Sequence, residues 1–108
     1  MVEGAQTEIA PVGGKQPIPP IFVRPDSNVQ GIANLITSSI FEEPRITLRA
    51  IGAGAVNQAF KGYIQARQYL AGQGEDLILR GGFVTVKGSD NTDITAIVLH
   101  CTLDYHGR

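Results

Sequence analysis

The chemistry that this sequence offers is anion binding, centred on the stretch from Arg49 to Arg80. Gly52 and Gly54 stand in a small-residue loop, Gly52-Ala53-Gly54-Ala55, with a helical pattern directly behind it. The first backbone N–H groups of a helix have no intrahelical partner, and with the helix dipole they can hold a phosphate oxygen. The dipole contributes only about 0.3–1 kcal/mol, so a loop of this kind needs side chains to help it. Asn57, Lys61 and Gln65 recur every fourth residue and share one helical face. Lys61 meets a phosphate as a point charge, and the amides donate to phosphate or base edges. Arg49, Arg67 and Arg80 are further cations that a dimer would merge with Lys61 into one basic surface. The candidate anion-contacting set is therefore Arg49, Gly52, Gly54, Asn57, Lys61, Arg67 and Arg80.

Each of these residues also has a plainer role. Small residues let a strand and a helix pack closely, and the loop lacks both the Lys-Ser/Thr ending of a P-loop and the third glycine of a dinucleotide fingerprint. The polar helix face is equally a solvated face or a polar seam between subunits. Arg49, Arg67 and Arg80 are each within the repertoire of ion pairs with Glu75 or Asp76. Gln58 falls off the Asn57–Lys61 face and suits a hydrogen bond that ties the corner.

Other chemistries fare worse. His100, Cys101 and His106 suggest metal, but neighbours on a strand point to opposite faces, and zinc normally takes four ligands. No serine, histidine and acid arrangement stands out for nucleophilic catalysis. The pairs Glu42-Glu43 and Glu75-Asp76 fall at turns. No cofactor, no metal and no enzymatic activity are expected.

The elements that must carry these residues can be read from periodicity. Residues 1–19 hold Gly4, Pro11, Gly13-Gly14, Pro17 and Pro19 without apolar periodicity, and read as a flexible Pro/Gly-rich arm. A domain follows over 20–105. "IFVR" is a short strand closed by Pro25. Ser27 or Asn28 caps a helix whose Val29, Ile32, Ala33, Ile36 and Ile40 form one apolar face, and Pro44 forces a turn after it. "RITLRAI", 45–51, is a second strand. The next helix runs from about Ala55 to Leu70, with Val56, Ala59, Phe60, Tyr63, Ile64 and Leu70 as its apolar stripe, and "GQG" ends it. Two strand-like runs close the chain, joined by a hairpin turn at Ser89-Asp90-Asn91. Gly81-Gly82 suggests a bulge or bend in the first of them.

Two strand–helix–strand crossovers followed by a hairpin give an α+β two-layer sandwich, βαβαββ, with a mixed four-stranded sheet and two helices on one face. The last strand is apolar on both faces: Ile97, Leu99, Cys101 and Leu103 on one, Ile94, Ala96, Val98, His100 and Thr102 on the other. Helices cover only one, so the other is expected to meet a second copy of the chain.

Composition bounds the rest. The 108 residues suit one domain, and 43% hydrophobic with 18% charged content reads as globular. No apolar run approaches the roughly 18 residues of a membrane span, and no secretory signal is visible. A single cysteine fits a reducing compartment, so a cytoplasmic location is expected. Formal net charge is −1, which argues against a non-specific nucleic-acid binder. Residues 45–87, however, hold six basic residues against two acidic ones, and a ligand meets the local field rather than the total.

"AIGAGAVNQAFKGYIQAR" resembles the signature of the stage V sporulation protein S family, through Ala50 to Ala55, Asn57, Gln58, Ala59, Lys61, Ala66 and Arg67. The similarity extends more weakly from about Ile21 to Leu103, and "SNVQGIA", 27–33, looks like the family's first-helix opening. The tail before residue 20 and the "SSIFEEPR" connection are longer than the family pattern. Where the family often carries a lysine between the first strand and helix, this chain has Arg24 and Asp26. The resemblance implies an Alba-like fold and a dimeric binder of DNA or RNA with a regulatory, sporulation-type role, which makes Arg49, Gly52, Gly54, Asn57, Lys61, Arg67 and Arg80 the candidate nucleic-acid-binding residues. Sequence-specific readout is not expected, because no helix carries Arg and Asn at base-contact spacing. The competing expectation is a self-associating scaffold or protein-interaction module, which the near-neutral charge, the doubly apolar last strand and the Pro-rich arm favour.

Overall fold

Asn28 starts the first helix, because its side chain accepts a 2.8 Å hydrogen bond from the otherwise unpaired Gly31 N–H. The computed structural model in which this is seen describes residues 18–104. Most of the arm read over 1–19 lies outside the described residues, as do Tyr105 and His106. The elements are β1 (Ile21–Val23), α1 (Val29–Ser39), β2 (Ile46–Ala50), α2 (Ala53–Ala71), β3 (Asp76–Lys87) and β4 (Asp93–Asp104).

They form one four-stranded sheet in the order β1-β2-β4-β3. β1 lies parallel to β2, and β4 runs antiparallel to both of its neighbours. β2 and β3 are therefore also parallel, and each of the two helices makes a crossover between parallel strands, as expected of βαβαββ. Both helices cover the face that carries Ile97, Leu99, Cys101 and Leu103. The core there joins Ile32, Ala33, Ile36 and Ile40 of the first helix segment to Val23, Ile46, Leu48, Leu70 and Leu77.

Two expectations are met only in part. α2 begins at Ala53, two residues early; of the expected stripe it buries Ala59 and Leu70 and packs Val56 and Tyr63 against the core, and it adds Ala55, Gly62 and Ala66. Phe60 and Ile64 are 45% and 43% exposed. α1 approaches closely at Gly62, where a Cβ would lie 2.4 Å from Ile32 Cγ2. Only a small side chain fits there, and Phe60 and Ile64 turn outward. Gly81-Gly82 makes no bulge, for the register of β3 against β4 runs unbroken from Asp76↔Asp104 to Lys87↔Asp93. The turn between them spans Gly88 to Thr92 and sets Asn91 at φ 66°, a conformation that asparagine tolerates.

The register also shows how the ends align. Val23 pairs with Ala50, and Ala50 with Ile97. Residues 93–96 and their partners 84–87 thus run past the last row of the parallel pair. Four residues at strand rise make an arm of roughly 13 Å. It projects from the same end of the sheet at which α1 and α2 begin.

Candidate nucleic-acid interface

At this end Arg24 leaves β1 beside the loop that leaves β2. Pro25 seats against that loop, since a Cβ on Gly54 would come within 3.1 Å of the Pro25 Cβ. Gln58 fixes the same corner: its Nε2 donates to the Ser27 carbonyl at 2.9 Å, as expected of it. Gly52 sits at φ 89°, a region open to glycine at little cost, and turns the chain from strand into helix. Its carbonyl accepts from Val56 N–H at 3.1 Å, but no side chain caps the helix. Gly52, Ala53 and Gly54 are exposed.

The loop, Asn57 and Lys61 follow one another along α2 and are exposed. Gln65 is not on that surface: it is half-buried, and its Oε1 is buried without a hydrogen-bond partner. Arg67 stands six residues after Lys61, about 120° around the helix. Its Nε donates to Asp76 Oδ1 at 2.9 Å in an exposed ion pair. Arg49 and Arg80 lie on the opposite face of the sheet, in register with Val98 and His100. Arg49 stacks its guanidinium over the Phe22 ring, Cζ to centroid 5.1 Å, and its Nε is buried without an acceptor. A contact of this kind contributes about 0.5–1 kcal/mol at a partly exposed site. On the same open face Thr47 Oγ1 and His100 Nδ1 lie 2.9 Å apart, and Ala96 and Val98 are buried.

Within one chain, then, the seven candidates occupy separate surfaces. Gly52, Gly54, Asn57 and Lys61 lie together, Arg49 and Arg80 are behind the sheet, and Arg67 is engaged elsewhere. Arg24 joins the first group through Pro25, and motif reasoning left it out of the set. Its signal was the proline, which both closes β1 and packs on the glycine loop. Arg24, Arg49, Lys61 and Arg80 have no acidic partner among the described residues, whereas Lys87 pairs with Asp93 at 2.6 Å. Asp26, in the same loop as Arg24, offsets one positive charge.

An open cleft of about 680 Å³ separates the start of α2 from the arm, lined by Val56, Asn57, Phe60, Phe83, Thr95 and Ile97 among others. It is largely apolar and adds exposed aromatic rings beside the loop. Bases stack on such rings, at about 1–3 kcal/mol each.

Among the described residues no three His, Cys, Asp or Glu side chains are grouped to hold a metal. Cys101 faces the helices, away from His100, and burial pushes its thiol up to about 12 from 9.0. The folded value is the higher one, so this contribution to stability is intact below pH 9 and is lost as pH rises towards 12. Urea unfolding across that range should show the wild type losing about 1.4 kcal/mol per pH unit relative to Cys101→Ala. Equal slopes would mean that the thiol ionises freely in the folded state.

No helix among the described residues is long and apolar enough to cross a membrane. The model of the family described as "Stage V sporulation protein S (SpoVS)" matches residues 21–103, a span that runs from the first residue of β1 to the penultimate residue of β4.

Proposed function

Because the chain belongs to the stage V sporulation protein S family and is thus sporulation-related, we propose that it works as a cytoplasmic homodimer that binds nucleic acid in a regulatory role and catalyses no reaction. One observation carries the reading: Arg24, beside the uncapped start of α2, and Lys61, about two turns along the helix on the Asn57 side, are both exposed and without an acidic partner among the described residues. A net charge of −1 would otherwise favour pairing every cation. Unpaired cations beside free N–H groups suit phosphate, and the neighbouring amide of Asn57 and ring of Phe60 suit bases in a flexible or single strand. Contacts of this type read backbone rather than sequence, so DNA or RNA would be held weakly and without strict sequence preference. Arg49 and Arg80, behind the sheet, enter the interface only if the ligand wraps the edge.

Exposed aromatic residues, Phe22 at 60% and Phe83 at 80%, favour the scaffold reading instead. One titration separates the two. Fluorescence anisotropy with a labelled duplex and a labelled single strand is followed from about 50 to 200 mM salt. Binding that weakens with salt is expected, and Lys61→Ala should lower the slope of log K against log salt by about 0.9 per lost contact. No binding at the lowest salt, with light scattering showing assembly beyond a dimer, would establish the scaffold instead.

A further inference from the structure

The two edges of the sheet are unlike. β1 has three residues, Ile21–Val23, with Pro25 close behind, which makes it a poor template for a further strand. β3 has twelve, contains no proline, and pairs with β4 without a bulge. Among the described residues nothing pairs with its outer side. About half of its residues direct N–H and C=O groups outward. Its terminal charges do not guard it either, because Asp76 is paired with Arg67 and Lys87 with Asp93.

We infer that the outer edge of β3 is where the second copy of this chain docks, its own β3 running antiparallel to form a continuous eight-stranded sheet. This rests on the homodimer reading above. The strand is complementary to itself. A two-fold axis perpendicular to the sheet through Gly82 keeps the helices of both copies on one side. It sets Phe83 opposite the partner's Gly81 on that side. Phe83 is 80% exposed in the single chain, and a glycine across an edge is the position that an aromatic ring covers best. On the open side Arg80 falls opposite the partner's Val84 and Ile78 opposite the partner's Val86, so no like charges face each other.

Sedimentation velocity of the full chain tests this together with disulfide trapping. The wild type should be a dimer, and Phe83→Lys a monomer with an unchanged circular dichroism spectrum. In a Cys101→Ala background, Gly82→Cys should form a covalent dimer on mild oxidation, since paired antiparallel Cα atoms lie about 4.5–5.5 Å apart. The chain has room for that side chain: a Cβ on Gly82 meets only Val98 Cγ2, at 3.6 Å. Failure of Gly82→Cys to cross-link in a dimeric protein overturns the β3 edge and leaves the homodimer standing. A monomeric wild type overturns both. Should Phe83→Lys fail to fold, the cross-link alone decides.

Discussion

Replacing Gly62 by leucine should lower the stability of the domain by more than about 3 kcal/mol, a large fraction of the roughly 5–15 kcal/mol that holds a domain of this size. At Gly62 the backbone of α2 packs directly on Ile32 of α1. Even the Cβ of alanine would lie 2.4 Å from Ile32 Cγ2 and 2.7 Å from Ile32 Cβ. A β-branched side chain on a helix has one strongly preferred rotamer and gives little way. The helices must therefore separate, and the seam of Ala55, Ala59 and Ala66 opens with them. Gly62→Ala is the sharper comparison. On an exposed helix that change gains about 0.5–1 kcal/mol. Here overpacking should reverse the sign, with a net loss of about 1–3 kcal/mol by urea unfolding. Ile32→Ala in the same chain should recover part of that loss, because the two positions are in contact and couple. A stabilised Gly62→Ala protein would mean that the helices do not meet at this residue.

The second large effect is on binding. Reversing both free cations, Arg24→Glu with Lys61→Glu, should abolish measurable retention of nucleic acid. Each lost phosphate contact removes about 0.9 from the salt slope and, near 50 mM salt, roughly tenfold in affinity. Two contacts thus account for about a hundredfold, and the introduced carboxylates add repulsion. Arg67→Ala is the matched control, carried by the same helix but turned about 120° from Lys61 and paired with Asp76. It should leave affinity unchanged and alter stability by no more than about 1 kcal/mol, as expected of an exposed ion pair. An equal loss of affinity in both proteins would place the ligand on the β3 side of α2 rather than on its outer face.

Much of this architecture was legible because local signals agree with the fold. The cap at Asn28, the breaks at Pro25 and Pro44, the glycines after Leu70 and the alternation in β4 all fix element type from short-range physics. What depended on the neighbouring helix was not. Phe60 and Ile64 have the hydrophobicity of a buried stripe, yet beside Ala59 and Leu70 the helix buries Ala55, Gly62 and Ala66. The four- and three-residue spacing of those small residues was visible, but it becomes decisive only once another helix is known to lie against it. Gly81-Gly82 likewise reads as an irregularity from sequence, whereas the unbroken register makes it the smooth centre of a long edge. Of the candidate site, the glycine loop, Asn57 and Lys61 were legible because they are consecutive on one helix. Arg24 and the ion pairing of Arg67 were not, since both depend on chain segments brought together by the sheet.

The central claim is that nucleic acid meets the chain where α2 begins. Amide chemical-shift mapping, with a short unlabelled strand titrated into the isotopically labelled protein, tests it most directly. The account predicts that shifts concentrate at Arg24, Gly52 to Asn57 and Lys61, while Arg67 to Gln73 stay in place. Shifts confined to the C-terminal half of α2, or none at a concentration where the strand is bound, would contradict it.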